Sequence, residues 1–587
     1  MMMIFLLRRA IEGDDTIKYL IKKRKMLTLQ IGKNKVPRCS TKEKIFIRTQ
    51  NLIFTFSEVT IVMFDIVIRN GLVVDGSGSP ALRQDVGITG ERIEAVGDLS
   101  SSQAPLIIHA EGLVVAPGFI DIHSHSEFNL LINPPAESKV RQGVTTEVCG
   151  NCGVSPSPLT GEAKDHRQDS LELLGLKIDW STLEEYCACI QARGIALNVA
   201  LLIGQGNVRA SLMGYLNRKA TSAELFLMRD LLRREMEMGG FGLSLGLIYP
   251  PGVYTGSDEV IALSEVVGEF NGIITAHIRS EGDRLIEALS EMIEMGEKTG
   301  IPIQVSHLKT SGEKNWDKLS SVFALIEGAQ ERGIDITADR YPYTSSSTEL
   351  DAVLPAWAFE GGNEKELERL RDEKTRERLK EEIGKNHPQA DYWERIRIAS
   401  LNTSSHQDWE GKSIAEIAEQ EKKDPCDLLF DLLLEERLQV GAIFFSMSEL
   451  NLREILKKPY VMIGSDSSVR AHYGVLKKGK PHPRGFGTFP RILGRYVRDE
   501  QVLTLEQAVY KMSGQPARRI GLKERGLIRK GFHADLAIFD LQTINDTSTY
   551  EDPYRYPEGI RYVMVNGKVV VSNGETTGVL PGRVLLR

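Results

Sequence analysis

The chain has 587 residues, with 73 Lys+Arg against 80 Asp+Glu, 41% apolar and 26% charged residues. This composition excludes collagen-like, coiled-coil and disordered classes, and the length suits several domains or an α/β barrel with additions. A net charge of −7 argues against nucleic acid as the main partner, and six irregularly spaced Cys suit a reducing, cytoplasmic setting better than a disulfide framework.

Residues 1–62 hold 13 Lys/Arg and 5 Asp/Glu, including KKRK at 22–25, which leaves −15 for the rest of the chain. The apolar opening is too short for a signal peptide, and its positive charges follow it rather than precede it. The most apolar run, 51–68, is interrupted by Glu58 and Asp65, so no membrane span is expected. We read 1–62 as an atypical basic extension outside the fold, with Met63 as an alternative start and an organelle-targeting segment as the other possibility.

From Met63 the pattern changes. Residues 64–78 predict two short strands joined by the Asn70-Gly71 turn, and 85–97 repeats the alternation. Far along the chain, 533–542 and 560–575 show the same style, with a second Asn-Gly turn at 566–567. Neither end can build a large sheet alone, so 63–115 and 523–587 are expected to form one small β-sandwich together.

Between these ends, eight short apolar runs alternate with helical stretches such as 222–238, 280–299 and 316–332. The runs are 119–123, 145–150, 196–204, 241–247, 273–278, 303–308, 335–343 and 461–466. Strands without a polar face, separated by helices, imply a parallel sheet covered by helices. The fold class expected is therefore α/β, a (β/α)8 TIM-like barrel over 116–522, with an insertion at about 344–410. A doubly wound open sheet is the alternative, but no G-x-G-x-x-G turn follows the first strand. The charged run 363–385 reads as a solvated surface helix in that insertion.

Chemistry-bearing residues gather at the C-terminal ends of these runs, where barrels keep their active sites. His123 and His125 are two apart, so on a strand they share a face and could chelate one divalent ion. Cys152 follows the second run in GNCG, His277 ends the fifth, His307 the sixth and Asp466 the eighth. Four of the 11 His occupy such positions.

This set resembles the amidohydrolase superfamily, and Cys152 in place of a carbamylated lysine makes it resemble the D-aminoacylase (N-acyl-D-amino-acid deacylase) branch. PGFIDIHSHSE, QGVTT, GLSLGLIYPPGVY, HIRSEGD, SHLK, ADRYPYTSSST, GSDSS and HPRGFGTFPR agree with it. The resemblance implies a barrel flanked by a small β-sandwich. It implies that Cys152, His277 and His307 hold a tighter Zn2+, while His123, His125 and Asp466 surround a weaker second position that Cys152 bridges. It makes Asp466 the general base and acid for zinc-activated water, and assigns Lys309, Tyr341 and Arg484 to the carboxylate of an N-acyl amino acid. On the residues alone, Asp466 also reads as a mere ligand or helix cap, and the other three as surface charges or a packed ring.

The expected activity is zinc-dependent hydrolysis of N-acyl-D-amino acids, a small-molecule reaction with neither nucleic acid nor membrane as partner. The D preference comes from the resemblance alone, and nothing in the sequence sets the oligomeric state. A cyclic amidase resembling dihydroorotases and hydantoinases is the second reading, and a non-catalytic scaffold the third. Gln205 stands in GQG where the branch often carries histidine. Cys187 and Cys189 read as packing residues, and Cys149-x-x-Cys152 as neither a redox pair nor a zinc knuckle.

Overall fold

All eight apolar runs fold as strands, because each buries both of its faces and leaves no side for water. They are Phe119–Asp121, Val144–Cys149, Asn198–Leu201 with Ile203–Gly204, Gly242–Gly246, Ile273–His277, Ile303–Val305, Ile336–Arg340 and Val461–Ile463. This computed structural model describes residues 63–587 except residue 173, plus a short antiparallel pairing of Arg48–Thr49 with Leu52–Ile53. The remaining expectations for residues 1–62 lie outside the described residues.

The strands pair in parallel and in chain order. They fall into two ribbons because the third run is divided at Leu202. Its first half, Asn198–Leu201, takes Val584–Leu585 as a parallel partner, while Ile203–Gly204 pairs with Gly242–Gly246. Beyond the last strand, Ser467 forms a parallel bridge to Ser124, and the Asp466 N–H donates to the His123 carbonyl at 2.7 Å.

Helices cover these strands. Ser222–Glu237 starts at a capping box, with the Thr221 hydroxyl accepting from the Glu224 N–H. It buries Met228, Leu232 and Met236 together with Glu235, and leaves its other charged residues half-buried or exposed. Leu285–Thr299 buries Leu285, Leu289, Met292 and Ile293, and ends at Gly300 in the left-handed region. It begins five residues later than the pattern predicts, because residues 280–284 form a loop at the site. No helix among the described residues is long and apolar enough to cross a membrane.

The two ends of the chain do meet. Val114–Pro117 pairs with Leu536–Phe539 at the centre of a nine-stranded mixed sheet. Ile68, Val86, Ile88 and Ile108 from one end share a core with Leu536, Ile538 and Met564 from the other. Asn566-Gly567 is the two-residue hairpin turn expected, both residues having positive φ between Val565 and Lys568. Asn70-Gly71 is not. Ile66–Val73 is one continuous strand, and the register shifts between Ile68 and Gly71 as in a β-bulge. Asn70 adopts φ 59° and its N–H donates to Asp85 at 2.8 Å. Gly71 lies so close to Val115 that a Cβ would stand 2.4 Å from its methyl group, so the glycine serves close packing.

Between the seventh and eighth parallel strands the chain builds a separate antiparallel sheet from Ser345–Glu349, Ile396–Ser400 and Gly441–Phe445. This segment has its own core, including Leu367, Leu370, Leu379 and Ile383. Those four belong to the charged run, which forms two helices, Asn363–Arg371 and Glu373–Asn386, divided at Asp372.

Candidate metal centre

Six side chains converge where the parallel strands end. His123, His125, Cys152 and Asp466 form one group and Cys152, His277 and His307 another, with donor atoms within 4.8 Å of one another in each. The strands stop short of five of these residues, while His277 is the last residue of its strand. His123 and His125 lie past Asp121, and Cys152, His307 and Asp466 have φ of 53°, 36° and 51°. A left-handed residue two or three positions beyond a strand turns the chain sharply, so three of the donors sit on strained backbone. The GNCG loop depends on its glycines: a Cβ on Gly150 would lie 2.3 Å from the Leu202 carbonyl oxygen, and one on Gly153 would lie 2.7 Å from the Gly246 nitrogen.

Cys152 Sγ stands 3.3 Å from His123 Nε2 and 3.5 Å from His307 Nε2. Burial pushes the Cys152 thiol up, but His123 and His307 beside it outweigh burial and hold it well below the ordinary thiol range. His125 Nε2 lies 3.2 Å from Asp466 Oδ1; burial pulls His125 down, yet Asp466 and Cys152 push it up to about 9. Burial raises the Asp466 carboxyl, while Arg484 at 2.8 Å, together with His307 and His125, holds it well below the usual carboxylate range. The buried His277 has no hydrogen-bond partner on either ring nitrogen among the described residues. A thiolate, four imidazoles and a carboxylate with such an orphaned ring fit a divalent ion that favours nitrogen and sulfur. A metal would replace the protons through which these groups now pair.

The expected carboxylate binders are near. Tyr341 is buried with its hydroxyl unpartnered among the described residues, and the Arg484 guanidinium lies 4.7 Å from its ring centre. Lys309 reaches the site through a loop rather than a strand, its Nζ 2.8 Å from His307 Nδ1 and paired with Glu281. A cavity of about 210 Å³ opens beside His125, Asp466 and Arg484.

Two acids that carry no role in the sequence reading support the histidines. His123 Nδ1 lies 3.0 Å from Asp339 Oδ1, and Asp339 also accepts from the His307 N–H at 2.9 Å and the Gln304 amide at 2.6 Å. Glu281 Oε1 lies 2.9 Å from His307 Nδ1. Carboxylates behind histidine rings fix which nitrogen faces a metal. Both acids stand inside quoted motifs, ADRYPY and HIRSEGD, but their spacing from the histidines gives no sign of the contact.

Other candidates are structural. Gln205 donates to Thr255 at 2.8 Å and Glu259 at 3.1 Å, away from the six donors. Cys187 and Cys189 pack against the main core. His472 leans on Tyr556, and His387 and His406 stack on Tyr392 and Trp409. His482 lines the cavity with its Nε2 2.8 Å from Ser345 Oγ.

Comparison with known proteins agrees with this architecture: residues 106–571 match the amidohydrolase family, and the chain belongs to it. Within that family it is 35% identical over 528 residues to the D-aminoacylase of Alcaligenes xylosoxydans xylosoxydans, covering 89% of this chain and 98% of the relative. It is 36% identical to N-acyl-D-glutamate deacylase of the same organism, over 89% of this chain and 96% of the relative. The crystal structure of N-acyl-D-glutamate deacylase from Bordetella bronchiseptica, complexed with zinc and a phosphonate inhibitor, superposes with a TM-score of 0.76. That match has 34% identity and covers 90% of this chain and all of the other. An L-hydantoinase from Arthrobacter aurescens, 16% identical with a TM-score of 0.50, shares the fold alone.

Proposed function

We propose that this protein is a zinc-dependent deacylase that hydrolyses N-acyl-D-amino acids to a D-amino acid and a carboxylate. The observation that carries the reading is the convergence of Cys152, His277 and His307, with donor atoms within 4.8 Å of one another and no hydrogen-bond partner on either ring nitrogen of His277 among the described residues. The D-aminoacylase and N-acyl-D-glutamate deacylase relatives supply the substrate class. Cys152, His277 and His307 would hold the tighter ion, and His123, His125 and Asp466, with Cys152 as bridge, a weaker one. Zinc, when bound, polarises the scissile carbonyl and brings the pKa of water toward ~7.

The chain's own groups do the rest. Asp466 takes the proton of the attacking water and returns it to the departing amine. Arg484, 2.8 Å from Asp466, offers a planar fork for the substrate carboxylate, and Tyr341 offers an unpartnered phenol beside it. Lys309 completes the group from the far side of His307. Asp339 and Glu281 keep the imidazoles of His123 and His307 turned toward the donors.

The accompanying fold reading is a closed (β/α)8 barrel with a small β-sandwich. Closure is supported by the Ser124–Ser467 bridge, which links the first strand to the eighth. The sandwich is supported by the core that both ends of the chain share. We place the paired ends at 63–115 and 523–587 and the barrel at 116–522, with an insertion from about 344–410 whose small sheet continues to Phe445. The setting we infer is cytoplasmic.

Amine release from matched N-acetyl-D- and N-acetyl-L-amino acids tests the activity, using zinc-loaded protein and Met, Leu, Phe, Glu and Asp side chains. Release from D substrates only is expected. Turnover of L substrates alone, or of hydantoins and dihydroorotate alone, would overturn the assignment.

A further inference from the structure

The cavity beside Asp466 gathers three cationic side chains on one wall. Arg470 and Lys478 line it together with Arg484, and Glu349 is the other acid on its wall besides Asp466. Arg484 already has a counter-ion in Asp466 at 2.8 Å. Lys478 donates to the Asn402 amide oxygen, and Glu349, Glu436 and Glu410 favour its ammonium against the burial that depresses it. Arg470, on the same wall, has no ion-pair partner among the described residues.

Its Nε is buried with no hydrogen-bond partner among the described residues. Burial disfavours its charge and Arg484 repels it, while Tyr554 and Glu349 offset this only in part. The backbone at this position is held in place, since the Arg470 main-chain N–H donates to Ser138 Oγ at 2.9 Å. The loop around Lys478 is pinned likewise by its N–H to the Tyr554 hydroxyl at 2.7 Å. The remaining wall is largely hydroxyl-bearing, including Ser347, Thr348 and Ser400, whereas a pocket for a Met, Leu or Phe side chain would be apolar. A half-buried guanidinium whose Nε has no partner among the described residues is better satisfied when an anion sits against it.

We propose that Arg470, backed by Lys478, receives a second carboxylate, so that the preferred substrates are N-acyl-D-amino acids with an acidic side chain. This rests on the deacylase reading. Arg484 takes the carboxylate next to the scissile amide, and Arg470 the one on the side chain.

The test compares kcat/KM for N-acetyl-D-glutamate and N-acetyl-D-methionine in zinc-loaded wild type, Arg470→Met, Arg470→Lys and Lys478→Met. Wild type is expected to favour glutamate at least tenfold. Arg470→Met is expected to lower the glutamate-to-methionine ratio about 30- to 100-fold, the loss of one charge-assisted contact, with Arg470→Lys retaining part of it. Lys478→Met is expected to lower the ratio less, and serves if Arg470→Met does not fold. A wild type that favours methionine, or a ratio unmoved by these substitutions, would overturn the proposal while leaving the deacylase reading intact. Silence on every N-acyl-D substrate would instead defeat that reading. Calorimetric binding of D-glutamate against D-glutamine then decides for Arg470: selective binding lost in Arg470→Met supports it, and equal or absent wild-type binding overturns it.

Discussion

Cys152 is the hinge of the site because a thiolate can face two sets of histidines at once. With Sγ 3.3 Å from His123 and 3.5 Å from His307, it belongs to both donor groups. Cys152→Ala and His277→Ala are therefore expected to lose stoichiometric zinc after dialysis, measured by elemental analysis. Retention of a full equivalent by either would refute the ligand assignment. Asp466 lies outside the Cys152, His277 and His307 group, which we propose holds the tighter ion, so Asp466→Asn should keep that zinc and lose about 10²- to 10⁴-fold in kcat, the range of a general acid–base contribution. Near-normal turnover would remove it from the proton path. These six donors were legible as letters because each follows an apolar run. Asp339 and Glu281 were not, since their value lies in hydrogen bonds to rings 216 and 26 residues away, a tertiary fact without a sequence period.

At the scale of elements, the ends of the first, second and eighth strands are tied by one ammonium. Lys139 is fully buried and lies 2.9 Å from Asp121, 2.8 Å from Glu147 and 2.8 Å from the Ser465 hydroxyl. Burial pulls its pKa down, but the two carboxylates outweigh that and hold it above the usual lysine range. Lys139→Met would leave two buried carboxylates without a cation, a change expected to destabilise by about 3–5 kcal/mol. A denaturant midpoint equal to wild type would show that the network carries no such weight. The strands themselves were readable because two-sided burial writes uninterrupted apolar runs. Asn70-Gly71 misled because the same dipeptide serves a hairpin or a bulge, and only the neighbouring Val115 decides. The division of the third strand at Leu202 was unreadable for a similar reason, its partner lying in residues 584–585.

For the whole molecule, that partner strand matters more than its two residues suggest. Val584–Leu585 saturates an edge of Asn198–Leu201, and Arg587 donates to the carbonyls of Phe270 at 3.0 Å and Ile520 at 3.2 Å. Deleting residues 582–587 would uncover a buried, apolar strand edge, a template for association. The truncated protein is expected to unfold at lower temperature and to aggregate in light scattering; a monodisperse product of wild-type stability would contradict this. The pairing of early and late segments also sets a timetable for biosynthesis. Val114–Pro117 waits for Leu536–Phe539, roughly 420 residues later, which at ribosomal speed is about 20–80 s. Through that interval the nascent chain displays a half-finished sheet whose open edge can pair with other chains, so synthesis is the stage at which this fold is most open to aggregation.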